Sequence, residues 1–531
     1  MRKNAASLPG VLFVIVLGAV IGGAAMTSLP ADDHEVLVLR TSQEMYERGD
    51  WIVPYFNGEP RLNKPPINYW LTGLTAAVAR SPDRVEAWHG RLPSLLAGIG
   101  LLTIMTTVGS RFFGGRAALY GAGLFATSTG FFSYAHDARP ELVYAFFCMA
   151  GLGSFMLATL TRARASAGWI YLMWAAYAFA ILTKGPQVPA MLLVASGLFL
   201  AFVQGCGLAG LRVLKPIAGL ALLASLTIPW WWLLKQGLAG EQVVNSQLAG
   251  ILLVPDFQHL LNGYYFYRPL QLVLPWLPLI PVAWIVAMRV RDEGREACIF
   301  LATTVLVAVL AFSFGGQQRY FYLLPLLPVM CLLAGRGVER MLAWGGPFFF
   351  IVLAVQAVVV FGAAGWLHLN YPRPTVLAAA VGAVLIAGSV GRKLSAAPFS
   401  GVAVALVVLV ANCFAGFADA EVFWSADRRH KHLLARSIKT NVAPDAPLVS
   451  LDLTPAVYVY ESGRTIRRLR NMDELGRTLD EIDGPALYVL TLALRRAELD
   501  GRYKIEEVRA MPKGASDRAA LYRISIGSRE D

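Results

Sequence analysis

The chain has 531 residues, 56% of them hydrophobic and only 15% charged, and its mean hydropathy is +0.53. A soluble domain carries about 25% charged residues. The deficit excludes an ordinary soluble enzyme and points to many helices in lipid, each needing roughly 20 apolar residues and bonding its backbone internally. The net charge is +12, yet Lys and Arg fall mostly in short loops between apolar runs, which reads as membrane topology and anionic headgroups, not nucleic acid.

Hydropathy marks thirteen candidate spans, at about 9–29, 91–110, 117–133, 141–160, 168–183, 186–205, 214–235, 269–288, 297–314, 319–335, 345–366, 375–391 and 399–417. Arg2 and Lys3 precede the first, and the number of later spans favours an uncleaved helix over a signal peptide. With the N-terminus inside, every second loop is cytoplasmic. Those loops hold Arg111 and Arg116, Arg162 and Arg164, Arg212 and Lys215, then Arg289, Arg291 and Arg295, then Arg336 and Arg340, and Arg392 and Lys393. Each carries at least two cations, as the positive-inside rule expects. The outer segments are then 30–90, 134–140, a turn near Lys184, 236–268, 315–318, 367–374 and the C-terminal tail.

The first outer segment is long and structured. Residues 36–48 have helical apolar spacing (Val36, Leu39, Met45), and 67–80 reads as an amphipathic helix opened by the interfacial aromatics Tyr69 and Trp70. After about residue 420 charges return and strand-like runs appear at 447–451, 486–490 and 520–525. Between them NMDELGRTLDEID reads as a helix capped by Asn471. The expected architecture is an all-α polytopic membrane domain, 1–420, followed by a small α/β domain, 421–531, which an odd number of spans places outside. Cys148, Cys206, Cys298, Cys331 and Cys413 lie in or beside apolar runs without metal-ligand spacing and read as small core residues.

Residues with chemistry gather on the outer side. Asp32, Asp33, His34 and Glu35 follow the first span, where a carboxylate could take a proton from an acceptor hydroxyl; a solvated run marking a helix end explains them equally. Glu44, Glu47 and Asp50 read as decoration of a helix and its exit turn. Lys64, fixed by Pro65 and Pro66, suits a phosphate oxygen as a point charge, against the simpler reading of a lysine snorkelling to headgroups. His136, Asp137, Arg139 and Glu141 sit where the fourth span begins, and Lys184 lies at a turn. Gln318, Arg319, Tyr320 and Tyr322 open the tenth span, and Tyr264, Tyr265, Tyr267 and Arg268 close another outer segment. Separated cations near carboxylates suit a leaving phosphate whose negative charge grows during reaction. The sequence lacks a P-loop, a dinucleotide-binding glycine fingerprint, HExxH and GxSxG. Acidic residues in mid-span, which a proton-coupled carrier needs, are missing too.

The run EMYERGDWIVPYFNGEPRLNKPPINYW resembles the first outer loop of the dolichyl-phosphate-mannose protein mannosyltransferase superfamily, most closely its bacterial 4-amino-4-deoxy-L-arabinose lipid A transferase-like branch. RPEL, LTKGP and QRYFYLLPLLP are similar to later motifs of that group. The resemblance implies a GT-C fold. It implies transfer of a sugar from a polyprenyl-phosphate donor to a glycolipid, such as lipid A, or to a protein, by inversion, outside the bacterial inner membrane. It also assigns roles by position. Glu35 matches the second member of the family's Asp-Glu pair and His34 stands where Asp is usual, so the base is Glu35 or, shifted, Asp33. Lys64 matches the phosphate-contacting lysine, and Glu141 stands where the second outer loop is acidic. Arg319 and Tyr320 match a basic-aromatic position lining the donor site; Arg139 and Lys184 are expected in the anion site from the residue reading above, without a positional match. No cofactor is implied beyond the donor itself, and the altered acidic positions leave a divalent metal open. The competing functions are a flippase for lipid-linked sugars and an inactive relative that serves envelope assembly. Expected partners are the donor, the acceptor and membrane lipids.

Overall fold

A computed structural model describes residues 5–24, 26–81, 83–161, 167–238, 262–315, 318–344, 426–482, 484–510 and 519–526. The chain divides into two compact units, one comprising 1–26, 62–71 and 90–420, the other 27–61, 72–89 and 421–531. The expected spans at 345–366, 375–391 and 399–417, the loop cations Arg162, Arg164, Arg392 and Lys393, and Cys413 lie outside the described residues.

The first unit is a bundle of apolar helices. Five are long and apolar enough to cross a membrane among the described residues: Ala87–Phe113, Glu141–Thr159, Gly207–Gly237, Arg295–Ser313 and Tyr320–Trp344. Leu8–Gly23, Ala167–Thr183, Gln187–Val203 and Leu279–Arg289 are shorter apolar helices. This is a multi-pass membrane architecture; the count of thirteen spans is not confirmed, since three of them lie outside the described residues. The run 117–133 is broken into Gly115–Ala126 and Thr129–Ala135. Ser128 causes the break: its side chain accepts the Phe131 N–H and caps the second helix, as serine favours. The run 269–288 is helical only from Leu279, after a 3₁₀ segment Arg268–Val273. Pro275 and Pro278 lack N–H donors and push the residues before them out of helical geometry.

Backbone approach between helices rests on glycine. A Cβ on Gly121 would stand 2.9 Å from the Cys331 carbonyl oxygen, and one on Gly335 would overlap the Gly121 backbone. The helices Gly115–Ala126 and Leu327–Trp344 therefore meet at small residues, as membrane helices do. At one end of this bundle, Asp292 accepts from Arg336 at 2.5 Å and from Arg340 at 2.7 Å. The two arginines are one turn apart on a helix that runs to Trp344, farther than hydropathy indicated. A Cβ on Gly115 would meet the Ala5 carbonyl at 2.6 Å. At the other end Arg91 donates to the Met26 carbonyl at 2.9 Å. Each of these contacts joins segments that the loop charges had assigned to one membrane side.

The second unit begins at the helix Asp33–Arg48. Asp32 accepts the His34 and Glu35 N–H groups at 2.8 and 2.7 Å, while Glu35 accepts the Asp32 N–H at 3.1 Å. This is a reciprocal capping box. Gly49, at φ +68, ends the helix in the left-handed conformation. Glu44 and Asp50 are structural, not decorative. Glu44 is 3% exposed and takes the N–H groups of Asn57 and Gly58, at the hairpin of β1 (Tyr55–Phe56) and β2 (Glu59–Pro60), as well as Arg40 Nε. Asp50 accepts from Ile52 and Val53 and shapes the turn. Tyr46 donates to the Gly73 carbonyl at 2.6 Å, which fastens the helix Ile67–Val78.

The C-terminal portion carries a five-stranded mixed sheet in the order β4-β3-β5-β7-β6, where β3 is Leu448–Leu451, β4 Arg467–Leu469, β5 Ala486–Leu492, β6 Ile505–Ala510 and β7 Ala519–Ser525. Strands β4, β3 and β5 are mutually parallel, and β7 runs antiparallel to both β5 and β6. The helix Met472–Glu481, capped by Asn471 through the Glu474 N–H, buries Leu475 and Leu479 on Val449, Leu487 and Tyr522. The amide of Asn57 pairs with both the N–H and the carbonyl of Ile466, at 2.8 and 2.9 Å, so the hairpin is joined to the sheet edge beside β4.

A buried ionic cluster closes this unit. Glu461 accepts from His432 Nδ1 at 2.6 Å and Arg436 Nε at 3.1 Å, and His432 Nε2 lies 2.9 Å from the Ala31 carbonyl. Both imidazole nitrogens face oxygen atoms that accept hydrogen bonds. Burial works against the Glu461 charge, but the bonds from His432 and Arg436 outweigh it and hold the carboxyl at about 2, against an ordinary 4.5. A depressed carboxylate stabilises fully above its unfolded value and loses that contribution as pH falls through the folded one. The difference corresponds to about 3 kcal/mol. Glu461→Gln is therefore expected to destabilise the full-length protein in detergent at pH 7, and the gap to wild type to close between pH 4.5 and 2. A gap independent of pH over that range would contradict the assignment.

Candidate active site

The strongest concentration of charge in the first unit forms where helix ends meet. Glu141 opens the helix Glu141–Thr159 directly after Pro140, where aligned backbone dipoles favour a carboxylate. Lys184 follows the end of the helix Ala167–Thr183, where the dipole favours a cation. Lys184 Nζ stands 3.2 Å from Glu141 Oε1, and the two side chains are 10% and 6% exposed. The second oxygen, Glu141 Oε2, is buried with no hydrogen-bond partner among the described residues. The ammonium lies 5.1 Å from the Phe321 ring centre, 5.6 Å from Tyr322 and 5.8 Å from Tyr144, distances at which aromatic faces attract a cation. Tyr144 also holds the turn after Lys184: its hydroxyl donates to the Gly185 carbonyl at 3.0 Å and accepts the Val188 N–H at 3.1 Å.

The turn before Glu141 adds a second cation. Asp137 accepts the Arg139 N–H at 2.9 Å and Arg139 Nε at 2.6 Å, folding the arginine back on itself. The guanidinium then lies 5.1 Å from the Tyr134 ring centre. Burial pushes the Tyr134 phenol well above its usual range, and its hydroxyl pairs with Tyr320. Asn68 donates to the Ala138 carbonyl at 2.8 Å, which ties the turn to the chain just after Lys64. Lys64 is half-buried, and Pro65 and Pro66 precede the helix that carries Asn68. Glu141 feels three cations, Lys184, Arg139 and Lys64, in that order of strength.

The 3₁₀ segment Tyr320–Leu326 borders the same cluster. Tyr322 lies within electrostatic range of both Glu141 and Arg319. The Tyr265 hydroxyl donates to the Arg319 carbonyl at 3.2 Å and accepts its N–H at 3.1 Å, while the Arg319 side chain is exposed. The fold thus brings together six of the sequence-derived candidates: Lys64, Arg139, Glu141, Lys184, Arg319 and Tyr320. The aromatic wall of Tyr144 and Phe321 was not singled out from sequence. Phe321 lies within QRYFYLLP beside the tyrosines already noted, whereas Tyr144 lies in the apolar run after Glu141, where nothing in the sequence marks it.

Asp33 and Glu35 belong to the second unit. Asp33 accepts from Lys431 Nζ at 3.1 Å and remains 47% exposed. Glu35 is 2% exposed, with Oε2 engaged in the helix cap, and His34 is exposed. No group of three residues able to hold a metal ion occurs among the described residues. Chemically, the cluster in the first unit sets three cations against Glu141 and Asp137 in a setting of low polarity. That arrangement attracts an anion with several oxygens, and a phosphate is the natural case.

The fold is that of the GT-C membrane glycosyltransferases. Over 98% of this chain and 98% of its own, the crystal structure of ArnT from Cupriavidus metallidurans bound to undecaprenyl phosphate superposes with a TM-score of 0.76 at 20% identity. An oligosaccharyltransferase from Archaeoglobus fulgidus matches 92% of this chain and 68% of its own, with a TM-score of 0.53 and 11% identity. Within that class, the dolichyl-phosphate-mannose-protein mannosyltransferase family profile matches residues 37–245. The sequence is similar to the undecaprenyl phosphate-alpha-4-amino-4-deoxy-L-arabinose arabinosyl transferase of Serratia proteamaculans, 23% identical over 57% of this chain and 54% of the relative. The chain spans a little over half the length of the curated relatives it matches, and it is ArnT-like by fold and by sequence.

Removing one partner of a buried ion pair costs about 3–5 kcal/mol because the other charge stays buried alone. Lys184→Met and Glu141→Gln should each lower the unfolding temperature of the protein in detergent. The double variant should lose much less than the sum, as coupled neighbours do. Strict additivity of the two losses would show that the pair is not coupled.

Proposed function

We propose that this chain is an integral membrane glycosyltransferase. It moves a sugar from a polyprenyl-phosphate donor to a lipid A-like glycolipid or a protein on the extracytoplasmic face of the bacterial inner membrane. The observation that carries the reading is the convergence of Lys64, Arg139 and Lys184 on buried Glu141. Transfer by direct displacement needs an activated nucleophile on one face of the anomeric carbon and a stabilised phosphate on the other. The acceptor oxygen forms the new bond to that carbon as the bond to the donor phosphate oxygen breaks, and configuration inverts. The three cations offset the charge that grows on the leaving phosphate, with Arg319 and Tyr320 at the border of the donor site. The acceptor proton passes to a carboxylate of the first outer loop, Glu35, with Asp33 as the alternative. Glu141 orders Lys184 and contributes its free oxygen to the site. The organisation proposed is a transferase domain over 1–420, with the loop 30–90 bearing catalytic residues, and an extracytoplasmic domain over 421–531.

The test is transfer by the purified chain in proteoliposomes supplied with undecaprenyl-phosphate-linked sugar and lipid A. Lys64→Ala is expected to slow transfer about 10²–10³-fold, and Glu35→Gln about 10²–10⁴-fold, with membrane insertion intact. Asp33→Asn with the same loss and an active Glu35→Gln would move the base to Asp33. Unchanged transfer in both Lys64→Ala and Glu35→Gln would overturn the site.

A further inference from the structure

A separate cavity of about 410 Å³ lies wholly within the second unit. It is of the size that takes small ligands, about 300–1,000 Å³. Its walls present Arg84, Arg429, Arg436 and His432, against the carboxylates Glu86 and Glu461. One of the two acids is already engaged, since Glu461 is bonded by His432 and Arg436. Arg436 bonds it through Nε and Nη2, which leaves further N–H donors on the guanidinium. Arg84 touches Glu461 only at 3.8 Å with its side chain 60% exposed, and the Arg436 side chain is 59% exposed. Each guanidinium has five N–H donors in a fixed fork that matches phosphate oxygens. Three arginines thus stand against two carboxylates around an open cavity of ligand size.

We infer that this cavity is a binding site for a phosphate group, carried in the membrane by the headgroup of an anionic lipid. Two further features favour a lipid over a free ion. The wall is amphipathic, for Leu29 and Pro30 line it beside the arginines, and Leu433 is 52% exposed there. Its segments also continue directly into apolar helices. Residues 27–31 follow the helix Leu8–Gly23, and Ala87 is the first residue of Ala87–Phe113. Side chains within a few residues of an apolar helix end belong at headgroup level, where anionic lipids attract basic residues. Thr27 and Ser28 also line it and carry hydroxyl donors. The inference does not depend on the reaction proposed for the first unit.

Native mass spectrometry of the full chain in detergent tests it, with phosphatidylglycerol, phosphatidylcholine and inorganic phosphate as probes. Phosphatidylglycerol is expected to bind at least about tenfold more tightly than phosphatidylcholine, and R84A/R429A to erase that preference, each lost charged hydrogen bond being worth about tenfold. R84K/R429K should retain part of it, and R467A, on an exposed arginine paired with Glu481, should retain all of it. Inorganic phosphate competing as strongly as phosphatidylglycerol would keep the phosphate site and assign it to the free anion. Equal binding of the two lipids, or a preference unchanged in R84A/R429A while the variant unfolds at the wild-type temperature, would overturn the proposal.

Discussion

The Glu141–Lys184 pair is the constraint on which the site depends. Two charges taken out of water each carry a desolvation penalty of several kcal/mol, which only close geometry and added partners repay. Here the partners are specific. Each charge sits at the helix end whose dipole favours it, the ammonium is walled by Phe321, Tyr322 and Tyr144, and Arg139 and Lys64 add positive potential around Glu141. These demands fix the order of five chain segments. The turn at 136–140 must fold Arg139 on Asp137, the chain after Lys64 must reach Ala138 through Asn68, and the 3₁₀ start at Tyr320 must bring its aromatic rings to Lys184. A cation cluster built this way is in place before any ligand arrives, so little reorganisation is needed when negative charge appears.

Contacts at both ends of the helical bundle join segments that loop charge had grouped together. Asp292 lies between two arginines that hydropathy had put in another loop of the same side. The N-terminal residues Ala5 and Ala6 press on Gly115, in a loop assigned to their side. At the opposite end Lys64, Arg139 and Lys184, all assigned to the other face, act on one carboxylate, Glu141.

Much of this was legible from residues alone. Long apolar runs become helices because lipid offers no other backbone partner, and the Asn471 cap and the strands at 448–451, 486–492 and 519–525 followed from local pattern. Local breaks were harder. Ser128 caps the start of a second helix inside an apolar run by accepting the Phe131 N–H, a local signal that hydropathy averages away. Glu44 looked like surface decoration, yet it organises a hairpin thirteen residues away, a contact invisible to helical spacing. Pairing of Lys184 with Glu141, across 43 positions, is a product of the fold. The D-x-x-E spacing of Asp32 and Glu35 did carry the capping-box signature, and it was the chemical reading of those acids that drew attention away from it.

That cap sharpens the question of the base. Glu35 is held rigidly at the first turn of a helix, and the position before it is His34 in place of the Asp usual in similar transferases. Within the second unit the cap holds the Glu35 carboxylate in one orientation, with Oε2 on the Asp32 N–H. The most direct measurement is mass spectrometry of envelope lipids and glycoproteins in a strain lacking this chain, with and without complementation. The account predicts the loss of one sugar-bearing lipid or protein, restored by wild type and not by Lys64→Ala. An unchanged set of glycosylated species, or accumulation of the intact lipid-linked sugar on the cytoplasmic side alone, would contradict it, the second result marking a flippase.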